Sequence, residues 1–193
     1  MMALVPFMLS AMTPAEALQK AKAKISSAKS LSADFTMNAG GRTTTGKLLT
    51  KGTKFSLTSN LSSSWYDGSS LYVYIPASAE TTVMKPSAAE LAEANPLSYI
   101  SSSSLYNVTG SKQKTPGMET VVLIPKKSGS NIKSIMIQLN ASTFLPAGIT
   151  ITQSSGSKIT ISLSNIRLNP SLSDSQFVYP KAKYGKAKII DLR

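Results

Sequence analysis

Histidine and cysteine are absent from this sequence, tryptophan occurs once, and aspartate plus glutamate together number nine. Each shortage excludes a chemistry. Without Cys or His there is no thiol or imidazole nucleophile, no imidazole acid–base catalyst, and no ordinary zinc or copper site. Neither a metal nor another cofactor is therefore expected. A disulfide framework and a lipid-modified Cys are excluded as well, although the compartment stays open, because oxidising compartments permit disulfides without requiring them. Any enzyme built on this chain would have to use Asp34, Asp67, Asp174, Asp191, Glu16, Glu80, Glu90, Glu93 or Glu119. A binding protein is the better expectation.

What is plentiful is lysine. The 21 basic residues outnumber the nine acids by 12, and three of them are Arg (42, 167 and 193), leaving 18 Lys. They are dispersed, with local groups at Lys20/Lys22/Lys24, Lys112/Lys114, Lys126/Lys127 and Lys181/Lys183/Lys186/Lys188. Dispersed lysine suits a solvated surface first, an anionic lipid or acidic partner second, and base readout by Arg forks least. No nucleic-acid partner is expected.

Residues 1–12 are almost wholly apolar but too short to span a bilayer, which takes about 20 residues in a helix. With Ser10 and Ala11 near a cleavage position, they read as the remnant of a signal peptide, although the basic n-region is missing. A buried first segment of the mature fold is the alternative. On the first reading the folded domain is 13–193, exported, soluble and monomeric.

Thr13-Pro14-Ala15-Glu16 has the grammar of a helix start: a capping Thr, Pro at the first helical position and a capping-box Glu. Ala17, Leu18, Ala21, Ile25 and Ala28 then recur at helical spacing. From Leu31/Ala33/Phe35 the period becomes two. Phe55/Leu57, Leu71/Val73/Ile75, Val121/Leu123, Ile135/Ile137/Leu139, Ile149/Ile151 and Ile159/Ile161/Leu163 form apolar series between polar neighbours. Tyr72, Tyr74 and Met136 break that pattern. It predicts antiparallel strands with one face covered and one wetted. Turns are expected at Gly40-Gly41, at Asp67-Gly68 as a type I′ hairpin, at Gly129–Asn131, at Leu145–Gly148 and at Ser154–Ser157. One helical island, 86–94, interrupts the strands, with Asn95 a candidate cap for a second short helix or turn.

Few residues suggest bond-making. Glu90 and Glu93 share a helix face but have nothing nearby to set their environments apart, and Asp67 suits its turn. Trp65, Tyr66, Tyr72 and Tyr74 cluster around one hairpin, more in the manner of a sheet core or rim than of a stacking platform. The informative feature is a mismatch: eight or more strands expose a long apolar face, and one good helix plus a short island must cover it. Either the sheet closes on itself or its concave face shelters an apolar ligand.

The order of elements resembles the LolA-like periplasmic lipoprotein carriers. The similarity rests on Ile25–Met37, on Gly46–Phe55, on the hairpin Trp65–Tyr74, on Asn95-Pro96-Leu97, and on Phe177-Val-Tyr-Pro180 followed by Ile189–Arg193. The resemblance implies a mainly β (α+β) fold: a single curled antiparallel sheet forming an unclosed β-barrel, with an N-terminal helix and a short helical lid over the concave face. It also implies shelter for the acyl chains of lipoproteins or related lipids in the periplasm of a Gram-negative bacterium. An inner-membrane donor transporter and an outer-membrane acceptor would be the partners. Cavity contributors chosen by parity are Phe35, Phe55, Leu57, Leu71, Val73, Ile75, Ile149, Ile151, Ile161 and Leu163, with Leu91, Leu97 and Ile100 from the lid. The family's arginine latch after the second strand has no counterpart, because Gly52 stands there between Lys51 and Lys54. Two other readings remain at this stage. One is an envelope sensor or assembly module with a filled core on the same fold. The other is an enzyme using Asp67 or Glu90/Glu93, which would need carboxylates converging in a cleft.

Overall fold

A computed structural model describes residues 12–112 and 115–193. Residues 1–11 of the proposed leader, and Lys114, lie outside the described residues. The elements in order are α1 (Pro14–Ser27), β1 (Ser30–Ala39), β2 (Arg42–Lys51), β3 (Lys54–Ser59), β4 (Ser63–Tyr66), β5 (Leu71–Ile75) and β6 (Glu80–Met84). Then follow α2 (Ala88–Ala94), α3 (Ser98–Ser101), β7 (Tyr106–Gly110), β8 (Met118–Pro125) and β9 (Ile132–Asn140). The chain closes with β10 (Pro146–Gln153), β11 (Lys158–Leu168), α4 (Lys181–Tyr184) and β12 (Lys188–Asp191).

All twelve strands form one sheet in the order β12-β6-β5-β4-β3-β2-β1-β11-β10-β9-β8-β7. Every pairing is antiparallel except β12 with β6. The outer strands β7 and β12 do not pair with each other, so the barrel is not closed. Two meanders, β1–β6 and β7–β11, are joined side by side through β1 and β11. The link from β6 to β7 must therefore pass from near one edge of the sheet to the other. That link carries α2 and α3.

Register puts the apolar parity of each strand on one continuous face. Val73, Ser64, Leu57, Leu48 and Ala33 lie in one row across β5 to β1. Met37, Ile161, Ile149, Ile137 and Val121 lie in another across β1 to β8. Over the second half of this face lie α1 and α3, burying Ala17, Leu18, Ala21, Tyr99 and Ile100 against it. Burial of Leu18 and Ile100 contributes roughly 1.5–3 kcal/mol each before chain entropy is counted, and each alanine less. The predicted capping box forms: the Glu16 amide donates to Thr13 Oγ1 at 3.2 Å and the Thr13 amide to the Glu16 carboxylate at 2.7 Å.

Two expected turns differ. The Asp67-Gly68 signal gives a longer link, in which Asp67 Oδ1 accepts the amides of Ser69 and Ser70 at 2.8 Å each. The side chain closes that loop together with a backbone bond from the Asp67 amide to the Ser70 carbonyl at 3.3 Å. The turn expected at Leu145–Gly148 is instead made just before it, where Asn140 Oδ1 accepts from the amides of Ser142 and Thr143 and Phe144 takes φ +58. Pro146 opens β10, a strand's first residue being a place where a missing N–H is tolerated. A bulge in β11 also has a visible anchor. Asn165, at φ +50, donates to Asp34 at 2.8 Å, and Asp34 pairs with Lys47 at 3.0 Å.

Candidate functional site

The unfilled part of the apolar face lies under α2. A cavity of about 260 Å³ is lined there by Phe35 and Met37 of β1, Leu48 of β2, Leu57 of β3, Val73 of β5, Ile151 of β10, and Ile159, Ile161 and Leu163 of β11. Ser62, Ser64, Glu93, Ala94 and Pro96 complete the lining. Its volume falls just below the roughly 300–1,000 Å³ usual for small-molecule sites. A groove of about 460 Å³ also runs beside α2, along Ala88, Ala92 and Glu93, and one of about 400 Å³ lies near Tyr179, but among these the hollow is the one lined by aliphatic side chains of both meanders.

Gly46 faces Phe35 across the β1–β2 pair, and a β-carbon on it would collide with the Thr58 backbone carbonyl of β3 and lie 2.6 Å from the Phe35 ring's Cζ. Only glycine fits between that ring, which lines the cavity, and the backbone of β3.

Of the residues chosen by parity, Phe35, Leu57, Val73, Ile151, Ile161 and Leu163 come together in the lining. Ile149 is on the same face but buried in the aliphatic core, between Ile137 and Ile161. Phe55 and Leu71 are buried outside the cavity, with Phe55 5.8 Å from Tyr66, and Ile75 is exposed at the end of β5. Parity assigns a face and says nothing of position along it. It also passes over Met37, Leu48, Ile159, Ser62 and Ser64, although Met37 and Ile159 continue the series of Phe35 and Ile161.

In the helical link, the lining residues are Glu93, Ala94 and Pro96. Leu97 and Ile100 belong to the core, and Leu91 is half-buried without touching the cavity. The cover is thus held down by Leu97 and Ile100 and presents Ala94, Pro96 and the charged Glu93 to the hollow. Helix α2 starts with a second capping box, the Ser87 amide donating to the Glu90 carboxylate at 2.7 Å and the Glu90 amide to Ser87 Oγ at 3.3 Å. Asn95, expected to cap the next helix, ends α2 and accepts the Leu97 amide on Oδ1 at 3.2 Å.

Gly52 sits in the β2–β3 turn at φ +58, a conformation that favours glycine. Its neighbours work on the outer side. Lys51 donates to the Leu172 carbonyl at 3.0 Å and to Asp174 at 2.9 Å, and Lys54 lies 3.5 Å from the same carboxylate. This clasp holds the 170–180 segment across the outer face of β3–β6. There Tyr179 stacks on Tyr72 at 5.3 Å and meets Trp65 at 5.7 Å, while Tyr184 lies 4.2 Å from Tyr74. The aromatic hairpin is a second, smaller core. Tyr66 points to the opposite face, beside Phe55.

The carboxylates are largely accounted for. Glu16 and Glu90 cap helices, Asp67 closes a turn, and Asp34, Glu80, Asp174 and Asp191 pair with Lys47, Lys188, Lys51 and Arg193. Hydrogen bonding to Ser87 holds the Glu90 carboxyl below its usual range, the opposite of what a general acid needs. Glu93 has no such partner among the described residues. Burial, with its negative charge nearby, raises the hydroxyls of Tyr99 and Tyr106.

The family model for the outer membrane lipoprotein carrier protein LolA matches residues 26–180, a span that includes the whole first meander, the helical cover and β7–β11. No curated protein matches the chain. Among solved structures, an uncharacterized conserved protein from Thermus thermophilus is similar, with 10% identity and a TM-score of 0.61 over 92% of this chain and 98% of that one. A DUF1329 family protein from Desulfovibrio piger is similar at 15% identity and a TM-score of 0.51, covering 87% of this chain and 98% of that one. Such likenesses speak for the fold alone. The match over 26–180, together with the open sheet and its helical cover, shows that the chain belongs to the LolA outer membrane lipoprotein carrier family.

Proposed function

We propose that this protein is a periplasmic carrier that shelters acyl chains of lipoproteins or related lipids, with no bond-making step. The observation that carries this reading is the hollow itself. Aliphatic side chains from both meanders converge on a space that the fold leaves unfilled, under a link fastened mainly through Leu97, Tyr99 and Ile100 at its α3 end. A sensor or assembly module with a filled core would have no need of it. Each methylene brought from water into such a site contributes roughly 0.8 kcal/mol, enough for a chain of ordinary length to bind without a specific polar contact. The volume seen under α2 accommodates part of one chain, so a full occupant requires α2 to lift away from the sheet. Export, an inner-membrane donor and an outer-membrane acceptor belong to the same proposal.

The test is direct binding. Purified protein is incubated with a fluorescent fatty acid and, separately, analysed by native mass spectrometry after exposure to a diacylated lipopeptide. Saturable binding is expected, and filling the hollow with Val73→Trp or Ile161→Trp is expected to weaken it at least tenfold while circular dichroism stays unchanged. No binding by either method, or equal binding by the filled variants, would overturn the proposal.

A further inference from the structure

The outer face of the sheet, opposite the cavity, carries a patch that the carrier reading does not use. Val178 and Ile189 are exposed by 52% and 51% and line one groove of about 400 Å³ with Tyr184 and Lys181. An adjoining groove of about 270 Å³ adds Lys183 and Lys186. Among the described residues none of these three lysines has a carboxylate partner, and Lys183 stands 5.2 Å over the ring of Tyr184. The lysines lie beyond residue 180, where the family match stops.

We infer that this face docks on an anionic lipid surface, with Val178 and Ile189 reaching the headgroup–acyl boundary and Lys181, Lys183 and Lys186 paired with lipid headgroups. Exposed aliphatics beside a tyrosine ring, rimmed by lysine, have the chemistry of an interfacial site. Flexible, hydrated ammonium groups suit a diffuse array of headgroups better than a fixed carboxylate, which calls for Arg forks. Nucleic acid would need free rings for stacking, whereas Tyr72 and Tyr179 here stack on each other at 5.3 Å. The site is separate from the acyl cavity, so it stands or falls apart from the carrier proposal.

The experiment is co-sedimentation of the full chain with vesicles, either one part phosphatidylglycerol to three parts phosphatidylethanolamine or phosphatidylcholine alone. Binding is expected to the first kind only, and to fall with added salt. K181Q/K183Q/K186Q is expected to weaken it by roughly 100-fold, from about fivefold for each lysine at the surface. The charge-matched control K24Q/K133Q/K158Q, altered at exposed sites elsewhere, should change it less than threefold. V178S/I189S should weaken binding in the presence of salt, and emission from Trp65 behind the patch reports that each variant is folded. Val73→Trp, which fills the cavity, should leave sedimentation intact. The inference is overturned if anionic vesicles are not bound, if the control triple loses as much as the patch triple, if Val73→Trp abolishes sedimentation, or if the protein is retained by polyglutamate while ignoring vesicles.

Discussion

Phe35 and Gly46 face each other across the two strands at the middle of the sheet, and the ring of one occupies the space that a side chain on the other would need. The backbone carbonyl of Thr58 closes the same space from β3. Gly46→Ala is expected to destabilise the fold by about 1–3 kcal/mol through overpacking, read by urea denaturation. Adding Phe35→Leu should recover only part of the loss, because it relieves the ring contact and leaves the Thr58 carbonyl in place. A Gly46→Ala variant as stable as the parent would show that neither the ring nor the Thr58 carbonyl constrains this position.

On the outer face, Tyr179 donates to the Tyr184 carbonyl at 3.1 Å and meets the fully buried Thr81 hydroxyl at 2.9 Å. Tyr179→Phe strands Thr81 in an apolar setting and should cost about 1–3 kcal/mol. Combining it with Thr81→Val removes the stranded group and should cost less than the single change. The near-ultraviolet dichroism of Trp65 and its tyrosine neighbours reports whether the cluster stays packed. Additive losses in the double variant would rule out the hydrogen bond as the cause.

The stability of the clasp and of the β12 edge should depend on acid in a defined direction. Asp34, held first by Asn165 and then by Lys47, Asp174, held by Lys51, and Asp191, held by Arg193, all lie below the ordinary carboxylate value, Asp191 at about 2. A depressed carboxyl stabilises the fold fully above its unfolded value of 3.8, and that contribution fades as pH falls through the folded value. Stability should therefore be flat in these groups at neutral pH and decline below about pH 4. Carboxyl carbon shifts followed by NMR provide the check, with Asp174→Asn expected to lessen the decline. An Asp174 that titrates at 3.8 or higher would contradict the clasp.

Loosening the cavity's cover should be possible without touching the cavity. Ser87→Ala removes the side-chain cap of α2 and is expected to weaken the helix by about 1 kcal/mol, since such caps carry roughly that much. Hydrogen exchange at residues 88–94 should speed up about fivefold while β9, in the core, is unchanged. If α2 gates the hollow, uptake of a fluorescent fatty acid becomes faster in the same variant. Unchanged exchange in α2 would mean that the helix is held by its packing and not by its cap.

Much of this protein was legible in local sequence. The first helix was announced by Thr13-Pro14 and Glu16, because capping is a contest among near neighbours. The strands were announced by period-two aliphatics from Leu31 onward, because the pleat alternates whatever the topology. Absence of His and Cys narrowed the chemistry before any fold was known. The resemblance carried by Ile25–Met37, Gly46–Phe55 and the Trp65 hairpin named the family that the match over 26–180 shows.

Tertiary structure decided the rest, for reasons that no window of neighbours contains. Parity placed Phe55, Leu71 and Ile149 on the right face, but only the meeting of two meanders through β1 and β11 determines which rows end under α2 and which end in the core. The signal at Leu145–Gly148 was misplaced because Asn140 and Phe144 make the turn first, leaving Pro146 free to begin a strand. Leu97 and Ile100, read as cavity-facing, are spent on fastening the cover, since a link crossing from β6 to β7 must bury its largest side chains to stay in place. Sequence thus determined the elements, their faces and the narrow chemistry available to them. Where the apolar face stays unfilled depended on how far the sheet curls and on what the crossing link covers, and both are set by contacts between residues distant in the chain.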